Sequence, residues 1–202
     1  GTKYSEVAKL NKDIWEKTPE ELIRRTENYW KLWVNKEMFN FHDLPQRFVS
    51  FFKRSLLIIR TQIDNNGAII AANDSDIVQL GRDTYSYMWP RDGALVAYAL
   101  IKSGYMDATK RFFQFCADVI SKDGYLLHKY NPDCSFASSW HPWLKDNKKS
   151  LPIQEDGIAL VIWALWHHYD EFRDIEFVKP LYRSFIMNAA EFMVKFRDEE
   201  TG

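Results

Sequence analysis

The chain has 202 residues, 46% hydrophobic and 27% charged, a globular composition that excludes a disordered chain, a collagen-like fibre and a mucin-like stalk. With 27 basic against 28 acidic side chains the net charge is −1, which leaves no electrostatic footprint for nucleic acid or for an anionic membrane surface. Aromatic residues make up 16%, and rings in that number both fill cores and stack on flat ligands such as sugars. Two cysteines, Cys116 and Cys134, are too few for a disulfide framework or a cysteine-rich metal site, so a reducing, cytoplasmic setting is expected. No apolar run approaches the ~18 residues that span a bilayer. The polar N-terminus does not read as a secretory signal.

Thr18-Pro19-Glu20-Glu21 forms a capping box with Pro at the first helical position. The helix it opens carries Leu22, Tyr29, Trp30 and Trp33 on one stripe and should run to about Asn35. A second helix begins near Pro45 and points Phe48, Val49, Phe52, Leu56, Ile59 and Ile63 inward. The turn cluster Asp64-Asn65-Asn66-Gly67 ends it. From Gly67 to Trp89 the helical pattern breaks, and Ala68 to Ala72 reads as a short extended segment.

Helix resumes from Pro90 to Ser103, with Gly104 at C′. Asp107 is placed to cap the next helix, which runs to about Ile120 and closes at Lys122-Asp123-Gly124. Residues 124 to 150 lack periodicity yet hold Tyr125, Tyr130, Trp140, His141 and Trp143, which marks a functional loop rather than disorder. An apolar helix is expected from about Leu151 to Phe172 and a last one from about Glu176 to Arg197. His167 and His168 read as partly exposed helix-end residues without metal-ligand spacing.

Three runs carry chemistry. In Tyr85-Ser86-Tyr87-Met88-Trp89-Pro90-Arg91-Asp92-Gly93, proline opens a helix whose first turn holds Arg91 and Asp92 beside free backbone N–H groups. A cap with a local ion pair is the plain reading. A polar pair on the floor of an aromatic-lined sugar pocket is the functional one. In Ser138-Ser139-Trp140-His141-Pro142-Trp143, two indoles sit in the long loop. In Leu151-Pro152-Ile153-Gln154-Glu155-Asp156-Gly157, polar groups again gather at a helix start, for capping or for hydroxyl recognition.

These runs, with Tyr125 to Asp133, resemble in order and spacing the catalytic domain of glycoside hydrolase family 15, the glucoamylase-like enzymes. The resemblance covers about residues 20 to 202, with Cys134 where the family pattern expects Gly. It implies an all-α fold of helical hairpins forming part of an (α/α)6 toroid: residues 1–43 as a helical connector and 44–202 as an incomplete catalytic domain. It implies exo-hydrolysis of an α-glucan or small α-glucoside with inversion; no cofactor is expected, and although calcium occurs in some relatives, no oxygen-rich loop here reads as a calcium site. Arg91 and Asp92 would hold hydroxyls of the terminal glucose, Trp89 and Tyr85 would line that subsite, and Lys129, Trp140, Gln154 and Asp156 would stand on the pocket's other side.

Inversion needs an acid and a base roughly 6.5–9.5 Å apart. The family pattern puts both beyond Gly202, and adjacent Glu155 and Asp156 point in different directions on a helix. Helix counting gives about half of a closed ring. The isolated chain is therefore expected to associate with itself or with a missing C-terminal half. The stripe Ile158, Val161, Ile162, Leu165, Trp166 and Tyr169 is a candidate open face. A non-catalytic sugar-binding or regulatory module and a ligand-free helical scaffold are the alternatives. The polar groups gathered among aromatics argue against the scaffold. Linkage preference among maltooligosaccharide, isomaltose-type and trehalose substrates stays open.

Overall fold

Side-chain caps start two of the helices, at Thr18 and at Asp174. A computed structural model describes residues 3–36, 39–73, 85–137, 143–145 and 147–197, and these are helical apart from loops, isolated bridges and one two-stranded ribbon. The chain divides into two compact units, Gly1–Ile58 and Ile59–Gly202.

In the first unit, α1 (Tyr4–Trp15) is a helix the sequence reading did not assign. Lys3 at its N-cap makes no side-chain cap bond, and no residue of the helix is buried. α2 (Pro19–Val34) starts as expected: the Thr18 hydroxyl accepts the Glu21 N–H at 3.2 Å, with Pro19 behind it. α3 (Gln46–Thr61) is tied to α2 where the Trp33 indole donates to the Leu56 carbonyl at 3.0 Å. Lys53 Nζ adds a bond to Asn35 Oδ1 at 2.8 Å. Phe39, Phe41 and Phe52 form a ring cluster beside that joint.

The second unit is built on α4 (Pro90–Lys102), α5 (Met106–Val119) and α6 (Gly157–Phe172). α4 packs along α6, and α5 packs on both. Their shared core holds Ala94, Ala97 and Leu100 of α4, Phe112 and Phe113 of α5, and Val161, Ala164 and Leu165 of α6, all essentially inaccessible. The small residues of α4 permit the close approach. At Gly93 an added Cβ would stand 2.4 Å from Phe112 Cε2, so glycine is required there by space alone.

α4 ends as its sequence predicts. Gly104 adopts φ +75°, its N–H bonds Ile101 O at 2.9 Å, and the Tyr105 N–H bonds Leu100 O at 2.9 Å, which is a Schellman closure. The expected Asp107 cap is corrected: Tyr105 stands at N-cap and Asp107 lies inside the first turn of α5. The closing turn Lys122-Asp123-Gly124 locks onto the C-terminal helix. Gly124 has φ +89°, and a Cβ there would sit 2.1 Å from the Asn188 carbonyl oxygen.

Three further expectations change. Helix does not begin at Leu151. Residues 151–154 run without helix, and α6 starts at Gly157. The single helix over 176–197 is three pieces: α7 (Ile175–Leu181), a π-helical segment Tyr182–Met187 and α8 (Asn188–Lys195). Pro180 inside α7 removes one donor from the ladder two residues before the π-helical segment begins. The apolar stripe of α6 is mostly core: Ile158, Val161 and Leu165 are buried, and of the named residues Trp166 alone is well exposed, at 57%.

His168 is also corrected, from partly exposed to fully buried. Its Nδ1 lies 2.9 Å from the Thr109 hydroxyl, and Phe113, Phe172 and Phe177 surround its ring. No helix among the described residues is long and apolar enough to cross a membrane.

Candidate functional site

The extended segments cut by the helical pattern form the frame of the site. Ile70 bridges Met88, Met88 bridges Tyr130, and Tyr130 bridges Phe136. Met88 and Tyr130 exchange both backbone bonds at 2.9 Å. Ala71 and Ala72 donate to the Tyr87 and Tyr85 carbonyls at 3.0 and 3.1 Å. This ladder fixes the run 85–89 against the run 128–131 just before Pro90 turns the chain into α4.

Register then places the side chains. Lys129 stands next to Tyr130 and is fully buried, with Nζ 4.2 Å from the Tyr87 ring centroid and 5.9 Å from that of Trp89. A cation over two ring faces is stabilised by their quadrupoles. Trp89 is itself buried and takes the half-exposed Tyr85 ring at 5.5 Å, tilted by 30°. Tyr87 meets Trp89 edge-on at 5.7 Å. Tyr85, Tyr87, Trp89 and Lys129 are thus one cluster. Tyr87 was not singled out beforehand, although its alternation with Tyr85 and Trp89 in an extended run is the signal that would have found it.

The second cluster joins two helix starts. Pro90 and Gly157 approach closely, with 3.7 Å from Pro90 Cβ to the position a Gly157 Cβ would take. Beside that contact, Arg91 Nε lies 2.9 Å from both Asp156 carboxylate oxygens. Asp156 occupies the N-cap of α6 but makes no side-chain cap bond there. The capping reading of this residue is corrected, because Arg91 holds the carboxylate. Asp92, next in α4, is exposed and bonds no described side chain.

Gln154 adjoins the second cluster: its Cβ lies 3.7 Å from the same Gly157 position as Pro90 Cβ, and its carbonyl accepts the Gly157 N–H at 2.9 Å. It lines a cleft of about 840 Å³ with Tyr125, Trp143, Glu155, Phe192 and Phe196, and its Oε1 is buried with no partner among the described residues. Trp140, with His141, lies outside the described residues. The structure therefore brings Tyr85, Trp89 and Lys129 together, brings Arg91 and Asp156 together, and sets Gln154 in a neighbouring cleft. Among the described residues no group of three or more His, Cys, Asp or Glu side chains is placed to hold a metal ion.

Comparison with solved structures shows where such a helical frame recurs. A wild-type glycosidase matches with a TM-score of 0.53 at 21% identity over 71% of this chain and 39% of its own. A glycosidase variant solved in complex with glucose matches with a TM-score of 0.53 at 22% identity, with the same coverage of both chains. The fold is thus that of a helical glycosidase, consistent with one part of a helical toroid.

Residues 48–192, more than half of the chain, match glycosyl hydrolases family 15, and the chain belongs to that family. An uncharacterized glycosyl hydrolase of Methanocaldococcus jannaschii is 28% identical over 177 residues, covering 86% of this chain and 26% of that protein. The chain thus spans about a quarter of that curated relative and about two-fifths of the solved glycosidase chains.

Proposed function

We propose that this chain carries the terminal-sugar-binding part of an exo-acting, inverting α-glucoside hydrolase of the glucoamylase kind. The observation that carries the reading is the Arg91–Asp156 pair, set where two helix starts meet and two residues from the buried Trp89. Paired charges at helix N-termini, fixed by each other, are pre-organised donors and acceptors for sugar hydroxyls. In this reading Arg91, Asp92 and Asp156 bind hydroxyls, Trp89 and Tyr85 take an apolar sugar face, and Lys129 sets the charge beneath that floor. Gln154, and Trp140 from the loop, complete the far wall. The buried, unpartnered Gln154 Oε1 is an acceptor ready for a hydroxyl.

The general acid and base are assigned to sequence this chain does not span. Asp156 is engaged by Arg91, and Glu155 is its direct neighbour, so these two do not form a pair across a scissile bond with a water between. With the chain spanning 26% and 39% of its relatives, the apolar surface at Trp163 and Trp166 of α6 is assigned to association, with a second copy or with the remainder of the enzyme. Cys116 and Cys134 are both free thiols, in keeping with a reducing, cytoplasmic compartment.

Calorimetric titration with glucose and assay of glucose release from maltotriose test this reading together. Binding without release is the expected result. Absence of glucose binding would sink the sugar-site reading. Release that disappears in Asp92→Asn would place a working carboxylate pair inside this chain and overturn the assignment of the acid and base.

A further inference from the structure

The two halves of the proposed sugar site lie on separate runs of chain, 128–131 and 151–156. The Pro152 carbonyl joins them. The His128 backbone N–H donates to Pro152 O at 2.8 Å, and His128 Nδ1 lies 3.1 Å from the same oxygen. A carbonyl oxygen only accepts, so Nδ1 must carry the proton, and the two lone pairs of Pro152 O serve two donors of one residue. Pro152 is the centre of a three-residue turn closed by the Ile153 N–H on Leu151 O at 2.9 Å. The carbonyl is therefore held by a turn on one side and by His128 on the other.

The neighbours of this joint are the residues of the site. Lys129 follows His128 directly and lies against Tyr87 and Trp89. Two residues beyond Pro152 is Gln154, and two further is Asp156 on Arg91. The His128 ring also meets Trp143 at 5.1 Å, a residue of the Gln154 cleft. One imidazole thus touches both runs and the cleft wall.

We propose that His128 is a positioning residue for sugar binding. Its Nδ1–H bond to Pro152 O sets the spacing between the Lys129–Trp89 cluster and the Gln154–Asp156 run. This rests on the sugar-binding reading above. The backbone bond survives any substitution, so removing the ring leaves Pro152 O with one of its two donors.

The test combines tautomer and affinity. Nitrogen-15 shifts of the His128 ring at pH 8 should show a protonated Nδ1, and a bare Nδ1 overturns the proposal. In glucose titrations of the whole chain, His128→Ala should weaken binding about fivefold, the scale of one lost hydrogen bond. The melting temperature should stay within about 2 °C of wild type, since the backbone bond remains. His128→Asn places an amide N–H where Nδ1–H stood and should recover most of the affinity. His128→Gln reaches past that position and should not. Equal affinity for wild type and His128→Ala overturns the positioning role while leaving the sugar site intact. A wild-type chain that binds no glucose overturns both, so the two failures are told apart. Loss of affinity that tracks a fall in melting temperature in all three variants would mark His128 as merely structural.

Discussion

Arg91 Nε stands 2.9 Å from each carboxylate oxygen of Asp156, across 65 residues of sequence and between the first turns of two packed helices. The pair is half-exposed, at 41% and 51% of side-chain area. Ion pairs with that much water around them contribute little to stability, about 0–1 kcal/mol. The packing of α4 on α6 is supplied instead by Ala94, Ala97, Val161 and Ala164. What the pair does fix is the direction in which both groups point.

Replacement of Asp156 by Asn therefore separates binding from folding. The amide retains size and one acceptor but loses the charge that orients Arg91. Glucose affinity should fall about tenfold, the scale of a weakened charge-assisted bond. The urea midpoint should move by less than about 0.5 kcal/mol equivalent. A large loss of stability with unchanged affinity would show that the pair is a structural clasp only.

The opposite partition is expected at Gly93. An alanine Cβ there would meet Phe112 Cε2 at 2.4 Å, and the Phe112 ring is fully buried with no open side to move toward. Overpacking of this kind costs about 1–3 kcal/mol. Gly93→Ala should lower the unfolding free energy from urea titration by that amount, and Phe112→Leu in the same chain should recover part of it. Neutral behaviour of Gly93→Ala would mean that α4 and α5 separate freely.

Much of this architecture was legible in the residues. The Thr18 capping box, the Gly104 closure of α4 and the extended run at Ala68–Ala72 each have a local cause, and each stands where local chemistry places it. Expectations failed where the deciding partner is distant. Asp156 looks like a cap until Arg91 is brought beside it. His168 looks like a frayed helix end until Phe113, Phe172 and Phe177 close around it. The start of α6 at Gly157 was missed because Leu151 to Ile153 are apolar enough to read as helix, while Pro152 and the bonds from His128 hold them extended. Grouping of the candidate site was half-legible. The aromatic run was visible in the residues, but only the pairing of Met88 with Tyr130 put Lys129 against it.

The association proposed above would use the exposed indoles of α6. Trp166 is 57% exposed and Trp163 is 38% exposed, with Tyr98 tilted against Trp163 and His167 edge-on to both indoles. Light scattering should show mass rising with protein concentration. Trp166→Lys should shift the sample toward monomer without lowering its melting temperature, since an exposed ring contributes little to the core. A wild-type chain that stays monomeric at high concentration removes this face from consideration.

His168 makes the chain acid-sensitive for a reason visible in its contacts. The Thr109 hydroxyl donates within its own helix, to Met106 O at 2.9 Å, and so accepts from His168 Nδ1–H. Nε2 is then bare, buried and without a partner among the described residues. A proton added there would put a charge among three phenylalanine rings. Burial accordingly lowers the His168 pKa to about 4 from 6.5. Asp174 opposes that shift and Lys110 assists it, and these two charges pair with each other beside the ring. The sign follows: the unfolded chain takes up a proton below about pH 6.5 and the folded chain only near pH 4, so acid favours unfolding across that window. Full development of the effect is worth about 3 kcal/mol. Lys110 holds Asp174 below the usual carboxylate range, so the unfolded chain protonates it before the folded one, and it adds to the fall only at the acid end, below about pH 5. Urea midpoints measured from pH 8 to pH 4.5 should be flat at first and then fall. His168→Leu should flatten the curve over that range, while Thr109 keeps its bond to Met106. A curve of unchanged slope in His168→Leu would assign the acid sensitivity to other groups.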